Sequence, residues 1–317
     1  MSHPTSTPSA LPELPEAPVA APSDQRVGFI GLGVMGGPMA GHILAAGHPL
    51  HVTARRQAAA AGLVDAGATW HATAREVAAH SDVVVLMVPD LPDVEAVLAG
   101  PDGLLAGVRH PVVLVISSTV SPDGVRRLDG RLRQETRGLV HVVDAPVSGG
   151  EEGAVAGTLA VMVGGEAADV AVALPVLAAT GTAVHLGPSG AGQVAKACNQ
   201  MIVAATVLAL GEAAVVAERA GLDVGAMFTL LGGGYAGSRI LEVKGSRFAT
   251  HDHSPSGPAK FMVKDLGFAT EEAARSGTAT PQLDVLRAAF TDLTARGLGD
   301  QDTAVVQAYL EDLNREA

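Results

Sequence analysis

Lys196 stands in the stretch QVAKACNQMIVAATVLALGEAAVVAE, residues 193–218, as the single Lys or Arg between Arg137 and Arg219. An ammonium among Ala, Val and Leu loses hydration, which favours the neutral amine and draws its pKa down. Such a lysine can take or give a proton at working pH. Asn199 and Gln200 follow at spacings of three and four, so a helix carries all three on one face. A lysine near a helix start that snorkels to solvent is the plain alternative. The two amides beside it favour a polar site: Lys196 as candidate catalytic acid or base, Asn199 and Gln200 as candidate substrate contacts.

A proton carrier of this kind suits a reaction in which a hydride leaves the neighbouring carbon, and a second motif points to the hydride carrier. GLGVMG, comprising Gly31, Leu32, Gly33, Val34, Met35 and Gly36, fits G-x-G-x-x-G. It follows an apolar run, opens helix-compatible Met39–Ala46 and leads to a second strand at Leu50–Thr53, the context of a dinucleotide site. Gly31 allows the tight turn, Gly33 the close approach of a pyrophosphate, and Gly36 the packing of helix on strand. An acid at the end of the second strand would bind the ribose hydroxyls of NAD. Here Ala54 takes that place, with Arg55 and Arg56 next, and two guanidiniums suit a 2′-phosphate. NADP is the expected cofactor and NAD the alternative.

Three polar loops follow apolar runs of strand length, where doubly wound sheets bind ligands. They are VPD with Val88 and Pro89, SST with Ser118 and Thr119, and DAPVSGGEEGAVAGT with Ser148, Gly149 and Gly150. Val88 and Pro89 are placed against the cofactor. Hydroxyls and peptide N–H groups of the other five could cradle a carboxylate, although each alone is equally turn or capping chemistry. His251 and His253 lie two apart in a loop without nearby cysteines or a second histidine pair, so no metal site is expected.

The elements that must position these groups read as strands at Val83–Val88, Val112–Ile116, Leu139–Val143, Leu159–Val163 and Ala183–Leu186, with helices at Thr73–His80, Pro122–Gln134 and Ala167–Ala179. Apolar strands alternating with helices imply a mainly parallel sheet covered on both faces. From Val194 to Ala220 no proline occurs and Gly221 is a C-cap, so one long helix is expected. Helices are expected again near Val224–Leu231, Ala259–Ser276, Pro281–Arg296 and Asp302–Arg315. The fold class is α/β, an N-terminal Rossmann doubly wound sheet joined by a long helix to an all-α C-terminal domain. The expected boundaries are 1–25 for a disordered tail, 26–188 for the dinucleotide domain and 189–317 for a helical substrate and dimerisation domain.

The formal charge of -12 disfavours nucleic acid and anionic membrane surfaces. The single Cys198 suits a reducing compartment, so the expected localisation is cytoplasmic. Residues 1–25, rich in Pro, Ala and Ser, contain no Lys or Arg and no continuous apolar core, unlike a signal or transit peptide. The greasy segment Met201–Leu210 is short for a bilayer span before Glu212.

From Arg26 onward the chain resembles the β-hydroxyacid dehydrogenase family, which includes 3-hydroxyisobutyrate dehydrogenases and tartronate semialdehyde reductases. The resemblance rests on VGFIGLGVMGGPMA, SDVVVLMVPD, ISSTVSP, DAPVSGGEEGAVAGTLAVMVGG, GAGQVAKACNQ, KDLGFA and GDQDTA. It implies that Lys196 is the acid or base, and that Ser118, Ser148, Gly149 and Gly150 hold the substrate carboxylate. It also implies that Asn199 orients substrate, that Lys264 reaches the cofactor from the helical domain, and that the protein is a dimer or tetramer. Three departures stand out: Ile116 where many relatives have Asp, Gln200 for a second asparagine, and Ala54 for the ribose acid. The expected activity is interconversion of a small 3-hydroxy acid and its semialdehyde or ketone. An imine reductase on the same architecture is the first alternative, against which Lys196 argues, and a non-catalytic NADP-binding module is the second.

Overall fold

The computed structural model describes residues 25–316, so the expected disordered tail lies outside the described residues except for Gln25. That residue is tied down, its Nε2 donating to the Val172 carbonyl at 3.0 Å. The described strands are β1 (Val27–Ile30), β2 (Leu50–Thr53), β3 (Thr69–Trp70), β4 (Val83–Leu86), β5 (Val112–Ile116), β6 (Val140–Asp144), β7 (Val147–Ser148), β8 (Leu159–Gly164) and β9 (Gly181–Gly187). The helices of the sheet half are α1 (Gly36–Ala45), α2 (Ala61–Asp65), α3 (Ala74–Ala79), α4 (Leu91–Leu98), α5 (Leu104–Gly107), α6 (Pro122–Glu135), α7 (Gly150–Ala156) and α8 (Ala167–Ala178). Then come α9 (Ala191–Arg219), α10 (Val224–Gly232), α11 (Arg239–Thr250), α12 (Phe261–Ser276), α13 (Pro281–Ala295) and α14 (Val306–Glu316).

Six strands pair in the order β3-β2-β1-β4-β5-β6, all parallel. The order reverses between β1 and β4, and that switch point leaves a crevice over their carboxyl ends. β1, β4 and β5 are buried along their whole length, which explains their unbroken apolar sequences. One apolar cluster, around Phe29, Met39 and Val163, packs on the sheet, and another forms around Leu86, Leu114 and Leu128.

Beyond β6 the sheet departs from the parallel pattern. β6 and β7 pair with β8 antiparallel and in one register, Asp144 opposite Gly164 and Val147 opposite Val161. Pro146 interrupts them because it has no N–H to donate, although its carbonyl accepts from Met162. β9 then runs parallel to β8.

The second half is helical and packs around α9, with Ala204, Val207, Leu266 and Phe290 in its core. α9 has 29 residues and runs from Ala191 to Arg219, close to the expected span Val194–Ala220. By length and composition it could cross a membrane, yet half of its apolar stretch is buried inside the fold, as in the core helix of a globular protein. α2, α4, α5, α7 and α11 were not expected. The segment expected to be helical from Ala259 begins as α12 only at Phe261, and the one expected from Asp302 opens with a short 3-10 turn before α14.

Candidate active site

A cleft of about 800 Å³ opens at the switch point. The turn after β1 needs glycine at Gly31, whose φ is +105° and where a Cβ would lie 2.2 Å from the Met87 carbonyl oxygen. A Cβ on Gly36 would meet the Gly31 carbonyl oxygen at 1.9 Å, whereas the Cβ position of Gly33, on the cleft wall, has nothing within 4 Å. α1 begins there with no side-chain cap and no acidic residue in its first turn. An open peptide at Gly33 beside an uncapped helix N-terminus makes a seat for a pyrophosphate, so the residues present fit a nicotinamide dinucleotide.

Most of the expected cofactor residues meet in this cleft: Gly31, Gly33, Val34, Met35, Gly36, Arg55, Val88, Pro89 and Lys264, joined by Ser118 and Thr119. Two do not. Leu32 packs against the apolar core, and Arg56 is exposed, preceding the 3-10 turn Gln57–Ala60, so the expected pair of guanidiniums is split and Arg55 alone faces the cleft. Asp93, Phe261 and Asp265 line it unexpectedly. Asp93 was not singled out because no helix was expected at α4, although Asp90 and Asp93 make the reciprocal capping pair that marks a helix start.

Lys196 is 8% exposed. Burial draws its ammonium down to about 8, Asp265 opposing that fall and the charge of Lys264 adding to it. Both neighbours line the cleft, although Lys196 itself is not among the residues that line it. A polar chain runs beside it: Ser148 Oγ donates to Asn199 Oδ1 at 3.3 Å, Asn199 Nδ2 to Gln200 Oε1 at 2.9 Å, and Gln200 Nε2 to Asp265 Oδ2 at 2.6 Å. Asp265 Oδ1 is buried without a hydrogen bond, 3.4 Å from Lys264 Nζ. Ser148, Asn199 and Gln200 are thereby brought together, with Gln200 turned inward to Asp265. Gly149 and Gly150 directly follow Ser148, and Gly150 is already the first residue of α7, where a loop was expected.

The SST loop is held from three sides. Val88 N–H donates to Ser118 Oγ at 3.0 Å, and Lys264 Nζ donates to the Thr119 carbonyl at 2.5 Å. From α9, Gln193 bonds both Ser118 and Val120. Behind it Asp144 is fully buried, its oxygens accepting from Gly190 N–H and Gln193 N–H, while burial pushes its carboxyl up against those two bonds. Neither Gln193 nor Asp144 was singled out by sequence. Both sit in quoted motifs, but only the fold sets them against one another.

His251 pairs away from the cleft. Its Nε2 lies 2.9 Å from Glu218 and its Nδ1 3.5 Å from Glu311, so two carboxylates distant in sequence flank the ring. His253 faces Gln307 instead.

A parallel sheet with a phosphate seat at its switch point, a helical half and a buried lysine define a nicotinamide-dependent oxidoreductase. Residues 26–187 match the NAD binding domain of 6-phosphogluconate dehydrogenase, and residues 190–309 match the NAD-binding part of NADP-dependent 3-hydroxyisobutyrate dehydrogenase. The chain is 38% identical to the NAD-dependent L-serine dehydrogenase of Pseudomonas aeruginosa, covering 90% of this chain and 98% of that one. It is 39% identical to the 2-hydroxy-3-oxopropionate reductase of Escherichia coli, over 89% and 96%. The solved structure of Mycobacterium tuberculosis 3-hydroxyisobutyrate dehydrogenase with L-serine superposes with a TM-score of 0.77 at 32% identity, covering 91% of this chain and 99% of that one. The chain belongs to the β-hydroxyacid dehydrogenase family, and is an NAD(P)-dependent oxidoreductase acting on hydroxy acids.

Proposed function

We propose that this enzyme prefers NADP and interconverts a small 3-hydroxy acid and its semialdehyde or ketone, with Lys196 as general acid and base. The observation that carries the reading is the buried Lys196 amine, held down to about 8 beside two residues that line the cleft. The substrates in the relatives' names share a carboxylate and an oxygen on the third carbon, and differ at the second. That chemistry suits one end held by hydroxyls and peptide groups and the other beside an amine.

Gly33, α1 and Arg55 hold the cofactor, with Arg55 as the 2′-phosphate contact; Val88, Pro89 and Lys264 flank it. Bound nicotinamide supplies the hydride acceptor in oxidation and the donor in reduction. Ser118, Thr119, Ser148, Gly149 and Gly150 hold the substrate carboxylate, and Asn199 orients the substrate. Gln200 acts from behind, fixing Asn199 and Asp265. In oxidation neutral Lys196 removes the proton from the substrate hydroxyl; in reduction its ammonium returns a proton to the carbonyl oxygen. Positioned proton transfer of this kind contributes about a hundredfold to ten-thousandfold. Assembly as a homodimer or homotetramer belongs to the same proposal, supported by exposed Ile202 and Val216 on α9 and read by sedimentation.

The test is a panel of 3-hydroxy acids, semialdehydes and a cyclic imine, each run with NAD and NADP. Because the neutral amine is needed for oxidation, that rate is expected to rise with pH through a midpoint near 8, and reduction to fall over the same range. Lys196→Met should bind NADPH normally and lose at least about a hundredfold in kcat. Arg55→Ala should raise the KM for NADP about tenfold and leave that for NAD unchanged. Full turnover by Lys196→Met would exclude the proton-transfer role, and reduction of the imine alone would favour the imine reductase reading.

A further inference from the structure

Gln193 is 1% exposed and lies in the first turn of α9, one turn before Lys196. Its backbone N–H and both polar atoms of its side chain are hydrogen-bonded. Its backbone N–H donates to Asp144 Oδ2 at 2.8 Å, its side-chain oxygen accepts from Val120 N–H at 3.0 Å, and its side-chain nitrogen donates to the Ser118 carbonyl at 2.8 Å. A flipped amide would set donor against donor, so the two partners fix its orientation. The helix start cannot slide either. Asp144 Oδ1 takes the Gly190 N–H at 2.7 Å, and the next peptides lie so close to β8 that a Cβ on Gly192 would come within 2.2 Å of the Met162 carbonyl oxygen.

The other end of this clamp is a functional group. Ser118 lines the cleft, and its Oγ accepts from Val88 N–H, which leaves the hydroxyl hydrogen to donate to a ligand. One helical turn and two hydrogen bonds therefore join the Ser118 hydroxyl to the Lys196 amine across the junction of the two halves. Neither bond is to a reacting atom.

We propose that Gln193 is a positioning residue that sets the separation between the Ser118 hydroxyl and the Lys196 amine. The two ends of a substrate are thereby held so that its carboxylate and its third-carbon oxygen are met together. The proposal rests on the function proposed above. A shift of about 1 Å between such groups reduces turnover by about a hundredfold, so small distortions of the clamp are readable in kinetics.

Two full-length variants test it with NADPH bound. Gln193→Glu keeps the acceptor for Val120 N–H but turns a carboxylate oxygen on the Ser118 carbonyl. Gln193→Met keeps the volume and removes both bonds. Each is expected to lower kcat about tenfold to a hundredfold and to raise the KM of the hydroxy acid. In Gln193→Met, which adds no charge beside the amine, the pH midpoint set by Lys196 and the NADPH affinity, read by fluorescence titration, should stay as in the parent. Amide hydrogen exchange should show Val120 losing protection in Gln193→Met while Ala204 in the middle of α9 keeps its own. Parent values of kcat and KM in a folded Gln193→Met overturn the proposal, as does a loss explained wholly by a smaller folded fraction. If the parent protein turns over no hydroxy acid, the functional reading fails separately, and the exchange data alone decide: a still-protected Val120 in Gln193→Met would dispose of the clamp.

Discussion

Gly33 and Gly36 stand three residues apart where the turn after β1 enters α1, and they answer to different demands. A Cβ at Gly36 would press on a backbone oxygen at 1.9 Å, which cannot swing away, so Gly36→Ala is expected to destabilise the apo protein by about 1–3 kcal/mol or more. A Cβ at Gly33 meets nothing within 4 Å. Gly33→Ala should therefore melt like the parent yet bind NADPH at least about tenfold more weakly, because the methyl group fills the space a pyrophosphate needs. Thermal melts and fluorescence titration of both variants separate the two roles; parent-like NADPH binding by Gly33→Ala would remove the pyrophosphate from this peptide. Lys196 was legible at this scale because a lone cation among apolar residues is unusual. Asp265 was not, since a carboxylate after a lysine reads as an ordinary surface pair until it is found buried beside Lys196.

Among elements, the corner of β2, β3 and α3 forms one wall of the cleft through Thr53, Ala54, Arg55 and Ala72. It also gathers three imidazoles. The rings of His51, His71 and His80 lie 5.0–5.5 Å apart, with His51 Nδ1 3.0 Å from His71 Nε2. Burial first, then the neighbouring rings, lowers His51 to about 4, and burial followed by His80 lowers His71. A histidine whose folded pKa lies below its unfolded value binds fewer protons folded than unfolded in the interval between them. Stability is therefore lost as pH falls from about 6.5 towards 4. His51→Phe should flatten the fall in melting temperature between pH 7 and 5; an unchanged slope would remove His51 as the source of that fall. The strands of this corner were legible except β3, which has only two residues. α11 was missed for a different reason: Ser238 caps it and Leu241, Gly245 and Phe248 give it a buried stripe, but a glycine-rich run precedes it and masks the start.

In the whole molecule the two halves meet where α9 leaves the sheet. Arg126 on α6 pairs with Glu272 on α12 at 3.2 Å, and the Asp144 bonds to Gly190 and Gln193 seal the junction from below. We propose 188/189 as the division between the halves along the chain, though not as an energetic break. A fragment of residues 26–188 lacks the α9 peptides that cover Asp144 and donate to it, and forfeits two hydrogen bonds worth about 1–3 kcal/mol each. A fragment of residues 26–200 retains them and should be the more stable in urea melts. Equal midpoints for the two fragments would show that Asp144 draws nothing from the helix.

Local spacing was sufficient for the mainly parallel sheet, the glycine turn after β1, the long helix and the burial of Lys196, because each depends on periodicity or on a steric need confined to a few neighbouring residues. The antiparallel return through β8, the placing of Arg55 but not Arg56 on the cleft wall, the inward turn of Gln200 and the Gln193 clamp depended on tertiary structure. These involve partners separated by tens of residues, and burial and hydrogen-bond pairing at that range exist only once the chain has closed on itself.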